Sequence, residues 1–257
     1  VNKKLKILTY CIIVLLLGGI AAVLVYSDKK QQQVETQYIQ VEILAPARDR
    51  ILHREEISEM IRTEKERAGA DVSIGLLEQK LNENPYIRKA EVYASVDGGI
   101  KASVYLREPV ARVYEKSGSS YYIDEKGHPF PLKKGFSARV LPVNGNWDEP
   151  YNLRRGLMDT DSVKKRSLLD DAAFLAGLIR NNPFRDALFE QVYVNEKQEF
   201  ELIPKIGHSL IVFGDTSHAE GKFRKLEVFY REGLAYTGFN NYSYINLKYK
   251  NQIICKR

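Results

Sequence analysis

The chain has 257 residues, room for an apolar anchor and one or two modest domains, and its 28% charged and 11% aromatic residues argue against a wholly disordered protein. Its formal net charge is +6, but 33 acidic residues are interleaved with the 39 Lys and Arg, and no basic run is long enough to serve as a nucleic-acid arm. The two cysteines, Cys11 inside an apolar run and Cys255 near the end, exclude a cysteine metal cluster and leave the rest of the chain without an internal disulfide.

From Ile7 to Tyr26 no residue is charged. As a helix, a run of this length rises about 30 Å, the thickness of a bilayer core. Lys3, Lys4 and Lys6 precede it, Asp28, Lys29 and Lys30 follow it, and Tyr10 and Tyr26 suit the two interfaces. The expected order is a cytoplasmic tail at 1–6, a transmembrane helix at 7–26 and a polar, Gln-rich tether at 27–36, with the bulk of the chain outside the membrane. A cleaved signal peptide is the competing reading, and the length of the run favours the anchor.

Residues 37–107 read as a first domain. Tyr38–Leu44 alternates as a strand does. Ile57, Met60, Ile61 and Ala68 recur at helical spacing, which predicts an amphipathic helix over Glu55–Arg67. Ser73 is positioned to cap a second helix over Ile74–Glu83, which Asn84-Pro85 ends. Ile87–Val96 and a return strand carrying Ile100, Ala102, Val104 and Leu106 flank Asp97-Gly98-Gly99, a hairpin turn. A sheet with two helices on one face buries all these stripes together.

Residues 108–249 read as a second domain, mostly strands with two helices, and 250–257 as a strand extension or tail. Strands are expected at Ala111–Tyr114, Tyr121–Ile123 and Ala138–Val143, and a loop at Asn144–Arg155. A helix capped by Asp161 or Ser162 runs to Asn181, with Leu169, Ala172, Ala173, Ala176 and Ile179 as its apolar stripe. A meander follows at Leu188–Val194, Glu199–Ile203 and Ser209–Phe213, then a helix from Ala219 that Gly233 ends, then a last strand at Tyr244–Tyr249. The whole is an α+β chain behind one membrane helix.

Several phrases carry a resemblance. Asn84-Pro85-Tyr86-Ile87 with Ala90-Glu91-Val92, Arg107-Glu108-Pro109-Val110-Ala111, Tyr122-Ile123-Asp124 with Gly127, Leu141-Pro142 with Gly145, Lys222 to Leu226, and Tyr244–Tyr249 with Asn251-Gln252 occur in that order. Together they resemble the FtsQ/DivIB family of bacterial cell-division proteins. The loop around Trp147 and the segment Pro129–Pro131 have no counterpart in those phrases. The resemblance implies that the first domain is a POTRA domain, a protein-docking module, with a face around Ile51–Arg62 for other division proteins. It implies a scaffold at the division septum of the inner membrane. Its partner is an FtsB-like protein, itself paired with an FtsL-like protein, that adds a strand at the edge formed by the last strand. The residues expected to touch that partner are Tyr249 first, then Lys248, Asn251, Gln252 and Ile253.

Motifs for chemistry are not evident. His53, His128, His208 and His218 stand apart from one another and read as solvated surface histidines. Gly118-Ser119-Ser120 lacks the nucleophile-elbow pattern, and no glycine loop is built to cradle phosphate. No catalytic residue, cofactor or metal is expected. Two function classes stand against each other: the division scaffold, and a membrane-anchored envelope enzyme or glycan-binding protein with a concave pocket of converging polar groups. A POTRA-type chaperone for exported proteins is a third.

Overall fold

A computed structural model of the chain describes residues 18, 38–44, 50–69, 72–146 and 167–257. Of the expected anchor at 7–26 only Gly18 is described, in helical conformation. The expected tail and tether and the Trp147 loop lie outside the described residues. Among the described residues, no helix is long and apolar enough to cross a membrane. The chain divides into two compact units: Leu52–Leu106 with the residues up to Leu44, and Arg107–Arg257 with Ala45–Ile51.

The first unit runs β1 (Ile39–Leu44), α1 (Arg54–Ala68), α2 (Ile74–Asn82), β2 (Ile87–Ala94) and β3 (Ile100–Leu106). Its sheet has the order β1-β3-β2, with β1 parallel and β2 antiparallel to the central β3. The alternation at Ile100, Ala102, Val104 and Leu106 is buried against Ile57 and Ile61 of α1 and Leu77 and Leu81 of α2, which together make the core. Both helices start where side chains meet free backbone donors. The Glu56 carboxylate accepts from His53 N at 2.9 Å, and Ser73 Oγ accepts from Leu76 N at 3.2 Å. One expectation needs correcting: β2 stops at Ala94, and Val96, expected as the last residue of the strand, is fully exposed in the turn. The turn closes early because Ser95 N already donates to Gly99 O at 2.8 Å.

The second unit is a nine-stranded sheet in the order β12-β11-β10-β9-β8-β7-β4-β5-β6. In chain order its elements are β4 (Ala111–Tyr114), β5 (Ser120–Ile123), β6 (Pro129–Pro131), β7 (Leu141–Gly145), α3 (Leu168–Arg180), α4 (Pro183–Leu188) and β8 (Phe189–Val194). Next come β9 (Phe200–Pro204), β10 (Leu210–Gly214), α5 (Ala219–Val228), a π-helical turn (Phe229–Leu234), α6 (Ala235–Thr237), β11 (Tyr244–Asn246) and β12 (Ile254–Lys256). Most neighbours pair antiparallel; β4–β7, β7–β8 and β10–β11 pair parallel. Alternate residues of the strands, among them Val113, Val143, Val192, Leu202, Ile211 and Ile245, join one cluster with the stripes of α3 and α5.

Several boundaries differ from expectation, and the larger differences have local reasons. The helix expected from Asp161 or Ser162 begins at Leu168, because Ser167 is extended and its Oγ caps Asp170 N at 3.3 Å. The strand expected at Ala138–Val143 starts at Leu141 and runs on to Gly145. There a Cβ would sit 2.1 Å from Val194 O, so only glycine lets β7 approach β8 so closely. Gly233 does not end the helix after β10. The chain continues through a π-helical turn to Gly238, whose φ of 94° breaks it. Pro183 opens the short helix α4, with the Asn182 side chain accepting from Phe184 N at 3.0 Å.

Candidate functional site

The two ends of the nine-stranded sheet are built differently. β6 reads Pro-Phe-Pro, and proline has no N–H to offer a further strand. Phe130 between the prolines is fully buried, its ring 5.7 Å from that of Tyr122. The β5–β6 turn is held by Asp124, whose Oδ1 accepts from Lys126 N at 3.0 Å and His128 N at 2.9 Å while Arg107 bonds Oδ2 at 2.7 Å. Burial raises the pKa of this carboxyl, but the His128 bonds and the Arg107 charge outweigh it and hold Asp124 below the ordinary aspartate value. His128, expected to be solvated, is instead half-buried with Nδ1 3.3 Å from Asp124 Oδ1.

At the other end lies β12, antiparallel to β11 with Ile245 opposite Cys255. Among the described residues no strand lies outside it. It contains no proline, and Ile254 is 40% exposed. The expected last strand, Tyr244–Tyr249, is therefore the second from the edge and ends at Asn246; the edge itself is a strand from the segment read as an extension or tail. Lys248, Tyr249, Asn251, Gln252 and Ile253 are brought together, but in the turn that joins β11 to β12. Lys248, Tyr249, Asn251 and Gln252 are exposed, Tyr249 at 48%, whereas Ile253 packs partly against the core. Ile254 and Lys256 were missed as edge residues. Ile253 and Cys255 are half-buried and alternate with exposed Ile254 and Lys256, but the residues Ile-Ile-Cys-Lys do not alternate apolar with polar, so the sequence carries little signal of this face.

The turn is fastened from two sides. Lys248 Nζ lies 2.5 Å from Glu199 Oε1, and that bond raises the lysine pKa. From α5, Lys225 Nζ donates to the carbonyl oxygens of Leu247 at 3.2 Å and Gln252 at 3.5 Å, and also to that of Tyr249. Burial, and then the Lys222 ammonium, push Lys225 below the ordinary lysine value.

Behind the edge, α5 is itself pinned. Lys222 is buried, with Nζ 2.8 Å from Asp215 O, 2.9 Å from Asp215 Oδ1 and 5.0 Å from the centre of the Phe213 ring. Ser217 Oγ donates to Asp215 Oδ1 at 2.5 Å, and the bonds from Ser217 and Lys222 lower the Asp215 pKa to about 2. A Ser–Asp–Lys trio invites a catalytic reading, but both partners donate to the carboxylate, so the lysine is no base for the serine proton. Arg185 is held between Glu220 at 2.8 Å and Glu227 at 2.7 Å, over the face of Phe223. These contacts tie α5 to α4 and to the end of β10. Among the described residues, no three His, Cys, Asp or Glu are grouped to hold a metal ion.

What this geometry offers is backbone: an open strand edge beside a turn with an exposed tyrosine, which suits another polypeptide chain. No curated protein matches the chain. The family model described as FtsQ/DivIB, C-terminal related, matches residues 108–256, from just before β4 to the last residue of β12. That match covers more than half of the chain, which belongs to the FtsQ/DivIB family and so carries a role in cell division.

Proposed function

We propose that the protein is a non-enzymatic scaffold of the division machinery. In this reading a helix at 7–26 anchors it in the inner membrane with the N-terminus cytoplasmic, and the bulk lies outside at the septum. It binds an FtsB-like protein paired with an FtsL-like one, partly by strand addition at the open sheet edge. The β-α-α-β-β unit serves as a POTRA domain that docks further division proteins. The observation that carries the reading is the position of β12. A Pro-free outermost strand leaves a row of backbone groups for a second chain, and Tyr249 stands exposed beside it. The five turn residues become the flank of the interface and β12 becomes its centre.

The test is recovery of the FtsB-like and FtsL-like proteins by the full-length protein carrying proline in place of Ile254 or, separately, of Cys255. Successive N–H groups point to opposite sides of a strand, so one substitution removes an outward donor and the other a donor facing β11. The outward variant loses the partners while keeping its melting temperature. Retained recovery with both variants would refute strand addition at this edge.

A further inference from the structure

The turn between β11 and β12 has an unusual tether. Its first residues are tied in ordinary ways: Leu247 N donates to Val212 O at 2.9 Å, and Lys248 N to Asn246 Oδ1 at 2.9 Å. Beyond Lys248, the described bonds to its carbonyl oxygens come from a side chain on another element. Lys225 reaches out of α5 to Leu247, Tyr249 and Gln252 with a single ammonium. A lysine ammonium carries three donors and no acceptor, so three carbonyls match its whole capacity. The bonded oxygens span the turn from its entry to the residue just before Ile253, which re-enters the core. The helix that carries the lysine is tied close by, through Lys222 to Asp215 and through Glu220 and Glu227 to Arg185.

We infer that Lys225 is a positioning residue for partner binding: its ammonium holds the β11–β12 turn in the shape that presents Tyr249 and aligns β12 as a strand edge. Neutralising it leaves three carbonyl oxygens without their common donor and frees the turn. A turn that samples many shapes binds its partner more weakly, since the ordering then falls to the binding step. Lys225 touches no partner in this account. It acts through the backbone of the turn.

The binding half of the inference rests on the strand-addition reading; the other half does not, and the experiment separates them. Hydrogen exchange is measured on the full-length protein for wild type, Lys225→Met and Lys225→Arg, together with recovery of the FtsB-like and FtsL-like proteins. Methionine keeps the stem but no donor, whereas arginine keeps the charge and several donors. In the Met variant, exchange over 247–256 accelerates by roughly tenfold or more while β8 and β9 keep wild-type rates, and partner affinity falls by about tenfold. The Arg variant restores part of both. Unchanged exchange over 247–256 in Lys225→Met would overturn the positioning role. So would acceleration spread evenly over β8, β9 and β12, which would make Lys225 an ordinary stability residue. Failure of wild type to recover the partners, with the local exchange effect intact, would instead sink the strand-addition reading and leave the tether standing.

Discussion

The two edges of the nine-stranded sheet solve one physical problem in opposite ways. An edge strand exposes unpaired N–H and C=O groups, which invite association. At β6 the invitation is withdrawn: two prolines remove donors, a fully buried Phe130 locks the strand down, and Asp124 staples the adjoining turn. At β12 it is left open, and the neighbouring turn is braced by Lys225 and by Lys248 against Glu199. β12 is short and bears exposed Lys256, both of which discourage unselective pairing. The contrast teaches where to look for function in a sheet whose two edges are finished so differently. The closed end maintains the fold, and the open end is available to a partner.

Substitutions at the two ends should therefore separate stability from binding. The largest effect is expected at the closed edge. Phe130→Ala deletes a fully buried ring and should cost about 3–5 kcal/mol in chemical denaturation, with partner affinity of the surviving folded fraction unchanged. A stability loss below about 1 kcal/mol would mean that β6 does not hold the edge. At the open edge, Tyr249→Ala should weaken partner binding by about 2 kcal/mol, roughly thirtyfold, without lowering the melting temperature. Equal binding by this variant and wild type would remove Tyr249 from the interface.

Acid should act on both ends. Asp124 beside the closed edge and Asp215 behind the open one have pKa values held below those of free aspartate. A depressed carboxyl stabilises the fold above its unfolded value and loses that contribution as pH falls through its folded value. For Asp215 the loss runs from the ordinary 3.8 down to about 2. Asp215→Asn should flatten the stability profile in that window and leave it unchanged near neutrality in slope. A parallel profile in wild type and variant would show that the Ser217 and Lys222 bonds to this carboxylate contribute nothing to stability. The smallest effect belongs to Lys248→Met. Its pair with Glu199 is partly exposed at the surface, and surface pairs are worth no more than about 1 kcal/mol, so stability should shift by less than that and the shift should shrink in high salt.

Much of this architecture was legible in the residues, for reasons that also explain what was not. Ile100, Ala102, Val104 and Leu106 alternate without interruption, so β3 could be bounded to the residue. The stripe of α3 was equally plain, but its start was not, since Ser167 competes with Asp161 and Ser162 and only geometry chooses among capping residues. β6 was hidden because proline argues against a strand everywhere except at an edge, and an edge is a property of the whole sheet. β12 was hidden by its shortness: three residues give too little alternation to distinguish a strand from a tail. The residues expected from the family phrases to touch the partner fell on the turn for the same reason, just before the edge strand. Lys225 carried no signal at all, because a lysine on a helix looks solvated until the carbonyls it meets are brought in from 22 to 27 residues away.

The most direct test of strand addition at β12 is hydrogen exchange of the full-length protein with and without the copurified complex of FtsB-like and FtsL-like proteins. New protection at Ile254–Lys256 with no change at Pro129–Pro131 is the expected result. Unchanged exchange at Ile254–Lys256 in a complex that demonstrably forms, with protection appearing on another surface, would contradict it.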